Sequence, residues 1–254
     1  MTRHSRLALP QFVSFLATSC GALFGAAAFS APAHAAVLGF ESGYGQVAHG
    51  ESYQEAGFTL AFDANKAGAD SNNAVGFFVD GSDPWVCDIA CPVNNPGMYY
   101  GALNDSVIWI TADNQNPFRM LGLDASFIGH STALDDYPAT AGLLRAQGFA
   151  ADGSSTIVTL GLDGPSDAGF EFGAYSLGAF ADMEFIEIAL FGFVCNTAGN
   201  CTAFGTNQGQ FAVDNLELVG TDAAEVPEPA TALLVGLGLA GLASARRRRP
   251  NASA

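Results

Sequence analysis

Between residues 36 and 221 hydrophobic and polar positions alternate with a period of two in one stretch after another. Phe58-Thr59-Leu60-Ala61-Phe62, Ser106-Val107-Ile108-Trp109-Ile110-Thr111, Thr156-Ile157-Val158-Thr159-Leu160 and Glu184 to Phe191 all show it. That period belongs to strands with one face buried. Turn-formers separate them: Asp80-Gly81-Ser82-Asp83-Pro84, Asp152-Gly153-Ser154 and Asp163-Gly164-Pro165. Asp152-Gly153 also joins a strand around Leu143 to Phe149 with the one from Thr156, which predicts a hairpin. No stretch of this region sustains a 3.6-residue period over a dozen residues, and its many glycines make long helices costly. The pattern predicts an all-β domain, an antiparallel two-sheet sandwich of jelly-roll type.

The two ends read differently. Residues 1–35 carry positive charge at Arg3 and Arg6, then an apolar run from Phe12 to Phe29, then Ala33-His34-Ala35. This is the form of a secretion signal, with signal peptidase cutting between Ala35 and Ala36. A retained N-terminal anchor and a lipoprotein signal acylated at Cys20 are the competing readings. The second lacks the usual Leu three places before the Cys, and apolar sequence continues beyond it. After a linker, 222–229, comes an uncharged stretch, 230–245, and then a basic tail, 246–254, opening with Arg246, Arg247, Arg248 and Arg249. As a transmembrane helix the apolar stretch would span about 24 Å, slightly short of a bilayer core of about 30 Å. Four guanidinium groups do not cross cheaply, so they act as a stop-transfer signal that stays cytoplasmic and leaves the domain outside.

Pro227, Glu228 and Pro229 stand immediately before the span. A Pro-Glu-Pro motif, a short Gly-rich apolar helix and an arginine cluster, in that order, resemble the PEP-CTERM sorting signal. The resemblance covers about the last thirty residues. It implies that a membrane peptidase, an exosortase, recognises the tail, removes it and passes the protein to the cell surface or matrix. An ordinary C-terminal anchor is the alternative for the same span. Gln210-Phe211-Ala212-Val213-Asp214 is also similar to a Gln-Phe-x-x-Asp signature found in one group of such proteins.

Charge narrows the partners. The whole chain has a net charge of −16. Between Ala36 and Glu225 only Lys66, Arg119 and Arg145 are basic, against 24 acidic residues, so this stretch stands at −21. Nucleic acid and anionic membrane surfaces would be repelled. With Cys20 removed, four cysteines remain in an oxidising compartment, at Cys87, Cys91, Cys195 and Cys201. Their spacing favours two local disulfides; pairing across the two loops and a zinc site are the alternatives.

Candidate chemistry within the domain is sparse. Leu38-Gly39-Phe40-Glu41 near its start and Phe211 to Leu218 at its end resemble the opening and closing elements of jelly-roll carbohydrate-binding modules. Alternation puts Asp214 on the strand face of Leu216 and Leu218, and a buried carboxylate needs a partner. With first and last strands adjacent, Glu41 and Asp214 would share a structural Ca²⁺; the competing expectation is a hydrogen-bonded carboxylate at a turn or sheet edge. Trp85, beside the Cys87 loop, is the candidate for stacking on a sugar ring, whereas Trp109 reads as core and Tyr99-Tyr100 as a strand start. His49 and His130 lack catalytic spacing around them. The expectation is a non-enzymatic surface or matrix protein that requires no cofactor. It would be briefly anchored at the inner membrane, with signal peptidase and exosortase as partners and exopolysaccharide as its surroundings. A glycan-binding module is the alternative, and a secreted hydrolase the least favoured.

Overall fold

The computed structural model describes residues 35–83, 87 and 89–220. The signal segment up to residue 34, the tail from 221 and Trp85 lie outside the described residues. Fourteen strands follow one another: β1 (Ala36–Leu38), β2 (Gly45–Ala48), β3 (Glu51–Glu55), β4 (Phe58–Ala64), β5 (Ala74–Asp80), β6 (Met98–Ala102) and β7 (Ser106–Ala112). Then come β8 (Phe118–Phe127), β9 (Thr140–Phe149), β10 (Ser155–Asp163), β11 (Gly173–Ser176), β12 (Glu187–Cys195), β13 (Cys201–Thr202) and β14 (Phe211–Gly220). Two short 3-10 turns, Leu134–Asp136 and Gly178–Asp182, are the helical elements among the described residues. None is long and apolar enough to cross a membrane; the span expected at 230–245 lies outside them.

The strands form two antiparallel sheets of seven. The first runs β11-β8-β14-β6-β5-β2, with β1 pairing β14; the second runs β10-β9-β12-β7-β4-β3, with β13 pairing β12. The expected two-sheet sandwich is present, and its first and last strands are neighbours, Leu38 opposite Leu216. Between the sheets the inward positions of β4, β7 and β12 (Phe58, Leu60, Phe62, Ile108, Ile110, Ile188, Leu190) meet Tyr100, Phe127, Val213 and Leu218 in one apolar core. Phe62 stacks on Tyr100 across the gap, ring centroids 4.3 Å apart. Such a contact adds about 1 kcal/mol to the burial of both rings.

The β9–β10 hairpin forms as predicted, Phe149 opposite Ser155. Gly153 takes φ +84° in its turn, and Asp152 Oδ1 accepts the Ser154 amide at 2.8 Å. A residue with a Cβ would be strained at that φ. The predicted strand Glu184 to Phe191 starts later, at Glu187. Phe185 instead exchanges both backbone hydrogen bonds with Phe118 of the other sheet, each 2.8 Å, and its ring joins the core.

Candidate functional site

Asp214 is buried, but not on the face that strict alternation predicts. Val213 and Leu216 both enter the core, so one extra residue intervenes. The β14–β8 register shifts between Asp214 and Glu217, and Asn215 sits at φ +48°. Such a bulge reverses the parity of everything before it. Asp214 therefore lies opposite Asp124 on the outer face of the first sheet, sharing the side of Ala212, which packs with Tyr99 and Ile128 there. Its burial comes from the loop above it. Asn95 Nδ2 donates to Asp214 Oδ2 at 2.6 Å, while the Asn215 amide donates to Oδ1 at 2.7 Å.

Glu41 reaches the same corner: a Cβ placed on Gly97 would lie 3.2 Å from Glu41 Oε1 and 3.4 Å from Asn95 Oδ1. Burial pushes the Asp214 carboxyl up to about 6, the Asn95 and Asn215 hydrogen bonds work against that, and the charges of Asp124 and Glu41 add to it. The structure thus brings Glu41 and Asp214 into one neighbourhood. Both Asp214 oxygens are taken by N–H donors, and among the described residues no group of three or more His, Cys, Asp or Glu is arranged to hold a metal ion. The two N–H donors are what a hydrogen-bonded carboxylate requires.

The four cysteines pair locally, Cys87 with Cys91 and Cys195 with Cys201. The second bond joins directly opposed positions of β12 and β13. A carboxylate that sequence reading passed over holds a neighbouring loop. Asp105, 3% exposed, accepts the backbone amides of Gly209 at 2.7 Å, Asn207 at 2.9 Å and Thr206 at 3.2 Å. An Asn-Asp pair before a strand was its one sequence signal, and such pairs are common in turns.

The aromatic candidates divide by face. Tyr99 and Tyr100 are both buried, Tyr100 in the core and Tyr99 beneath Phe172, so neither offers a ring to solvent. Trp85 lies outside the described residues. Trp109, read from its apolar neighbours as core, is instead on the outer face of the second sheet. It is flanked across the strands by Ala189 of β12 and Ala61 of β4, and only partly buried. Val-Ile-Trp-Ile is misleading because Val107 and Trp109 pack with Ala189, Phe149, Phe191 and Phe193 on the outside, while Ile108 and Ile110 supply the core.

Beside Trp109 runs a groove of about 420 Å³ lined by Ala61, Asp63, Trp109, Thr111 and Glu187. Phe149 closes one flank, its ring centroid 6.2 Å from the indole. Further along the face the Arg145 guanidinium lies 4.6 Å from the centre of the Phe193 ring and 5.8 Å from that of Phe191. Phe204, 41% exposed, extends the patch at 5.0 Å from Phe191. At the groove rim His49 Nδ1 is 3.0 Å from Asp63 Oδ1 and accepts the Ala64 amide at 3.2 Å. His130 packs edge-on against Tyr137, centroids 5.3 Å apart.

Comparison with known proteins finds a sorting motif and several distantly similar solved structures. The family model described as the PEP-CTERM protein-sorting motif matches residues 225–249. No curated protein matches the chain. Among solved structures, a DUF4465 family protein from Bacteroides ovatus is 9% identical, with 74% of this chain and 99% of that one covered and a TM-score of 0.40. TmCBM61, solved in complex with β-1,4-galactotriose, is 9% identical, with 72% and 94% covered and a TM-score of 0.32. A C-terminal family 22 carbohydrate-binding module from Clostridium thermocellum is 11% identical, with 77% and 98% covered and a TM-score of 0.29.

Proposed function

From the PEP-CTERM protein-sorting motif that this chain carries at residues 225–249 we infer that the β-sandwich is the cargo of an export and sorting route, a surface-directed protein that an exosortase processes. In this reading signal peptidase cuts between Ala35 and Ala36. Residues 230–245 then hold the chain in the inner membrane while Arg246 to Arg249 stay on the cytoplasmic side. Processing near Pro227-Glu228-Pro229 releases the domain to the envelope or the exopolysaccharide matrix, where its role is structural. The sorting motif is the observation that carries this. The two local disulfides support it, since such bonds persist in oxidising compartments. A net charge of −21 over residues 36–225 fits a hydrated extracellular setting. The proposal assigns the domain no reaction.

Its test is fractionation in the host of the wild type and a variant with Pro227, Glu228 and Pro229 all changed to Ala, followed by intact-mass analysis. The wild type is expected at the surface or in the medium, shortened at both ends. The variant is expected to stay in the membrane fraction with its tail attached. Wild type recovered from the cytosol with both ends uncut would overturn the reading. A second function, contact with carbohydrate, is favoured by a specific observation: the partly exposed indole of Trp109 beside an open groove.

A further inference from the structure

We propose that the groove beside Trp109, on the outer face of the second sheet, binds an uncharged polysaccharide. The proposal depends on the surface-protein reading only for where the ligand is met. Packing against the outer cluster leaves the indole partly exposed. Ile108 and Ile110 on either side of Trp109 fill the core, and the outward position carries the largest side chain of the strand between two alanines. Ala61 forms part of the groove floor beside the ring, while Phe149 lies 6.2 Å away on one flank. Exposed apolar patches rimmed by polar residues mark interaction sites and ligand-binding grooves.

The chemistry around the ring selects the ligand. A sugar ring has a C–H face that packs on an aromatic face and a rim of hydroxyls that need hydrogen-bond partners. Trp109 supplies the first. Asp63, Glu187 and the Thr111 hydroxyl, all partly exposed on the groove wall, supply the second. Carboxylates accept hydroxyl protons in short, charge-assisted hydrogen bonds. The same two carboxylates repel a uronate or sulfate, so the ligand they fit is neutral. A peptide partner would find no backbone donors here, because the groove lies on a sheet face and not at an edge. A second copy would bring a second strongly acidic domain against the first.

The chain contains two tryptophans, Trp85 and Trp109, so a Trp85→Phe variant leaves Trp109 as the sole indole. The full chain, purified in detergent, is titrated with hydroxyethylcellulose, galactan and dextran, with alginate as the anionic comparison. Indole emission and mobility in polysaccharide-containing native gels are followed. At least one neutral polymer is expected to change the emission of Trp85→Phe and to retard wild type and Trp85→Phe alike, while alginate does neither. Trp109→Ala should weaken retardation by about tenfold, the scale of one aromatic contact. Trp109→Phe should be intermediate and guards against a folding defect in the alanine variant. The Asp63→Asn, Glu187→Gln pair should weaken retention of neutral polymers and relax the exclusion of alginate.

The proposal fails if no neutral polymer acts on Trp85→Phe, if Trp109→Ala is retained like wild type, or if loss follows Trp85 instead. It also fails if the protein sediments as a dimer that Trp109→Ala dissociates, since a second copy would then cover the face. Binding is read in vitro and sorting in the host, so either result can fail without the other.

Discussion

Asn95 and Asp214, 119 residues apart in the chain, are joined by a 2.6 Å hydrogen bond from Nδ2 to Oδ2 that ties the 94–97 loop to the last strand. It closes a lid over a carboxylate that burial has raised to about 6. The folded state therefore holds the Asp214 proton more tightly than the unfolded chain, whose carboxyl titrates near 3.8.

The sign of the pH dependence follows. Well below pH 3.8 the group is protonated in both states and costs nothing. As pH rises through about 6 the folded state must accept a buried charge, so this residue lowers stability by up to about 3 kcal/mol at neutral pH. Thermal unfolding at pH 4 and pH 7 should show a smaller difference in Asp214→Asn than in wild type. An unchanged difference would place the effect elsewhere. Calcium added at pH 7 tells the two expectations for Glu41 and Asp214 apart. Stabilisation that Asp214→Asn abolishes is the response of a shared ion, and no shift is that of a hydrogen-bonded carboxylate.

Removing the loop-side partner should act in the opposite sense to removing the charge. Asn95→Ala leaves Asp214 with the Asn215 donors alone. A loss of about 1–3 kcal/mol is expected, larger at pH 7 than at pH 4. A loss independent of pH would mean that Asn95 acts only through its contacts to the loop backbone.

Asp105→Ala should be among the most damaging polar substitutions. It strands three backbone amides, those of Thr206, Asn207 and Gly209, the last of them buried. About 3 kcal/mol of stability is expected to go, with new protease cleavage within 203–209 as the structural readout. Asp105→Asn keeps one acceptor and should lie between.

The Cys195–Cys201 bond closes a short loop, for which the chain-entropy account gives about 2 kcal/mol. In a domain of this size that lowers Tm by roughly 4–8 °C in a Cys195→Ala, Cys201→Ala double variant. Because the bond links opposed positions of β12 and β13, amide exchange should speed up at Val194 and Thr202 and stay unchanged in the β9–β10 hairpin. Acceleration throughout the second sheet would give the bond a larger part in the fold.

What the sequence determined by itself was whatever depends on near neighbours. Period-two alternation specified strands such as β4, β7 and β10. Asp152-Gly153 specified a hairpin turn, the cysteine spacing favoured local pairing, and the order of Pro-Glu-Pro, apolar run and arginines specified an address. What only the tertiary structure decided was which side of each strand became the inside. Alternation gives parity but not its sign, and a single bulge at Asn215 reverses the parity before it, which moves Asp214 from the expected core face to the underside of a loop. The same ambiguity hid Trp109. In Val-Ile-Trp-Ile both faces are apolar, and the partner strands β4 and β12, brought in from 48 residues upstream and about 80 downstream, determine that the isoleucines are buried and the indole is left at the surface.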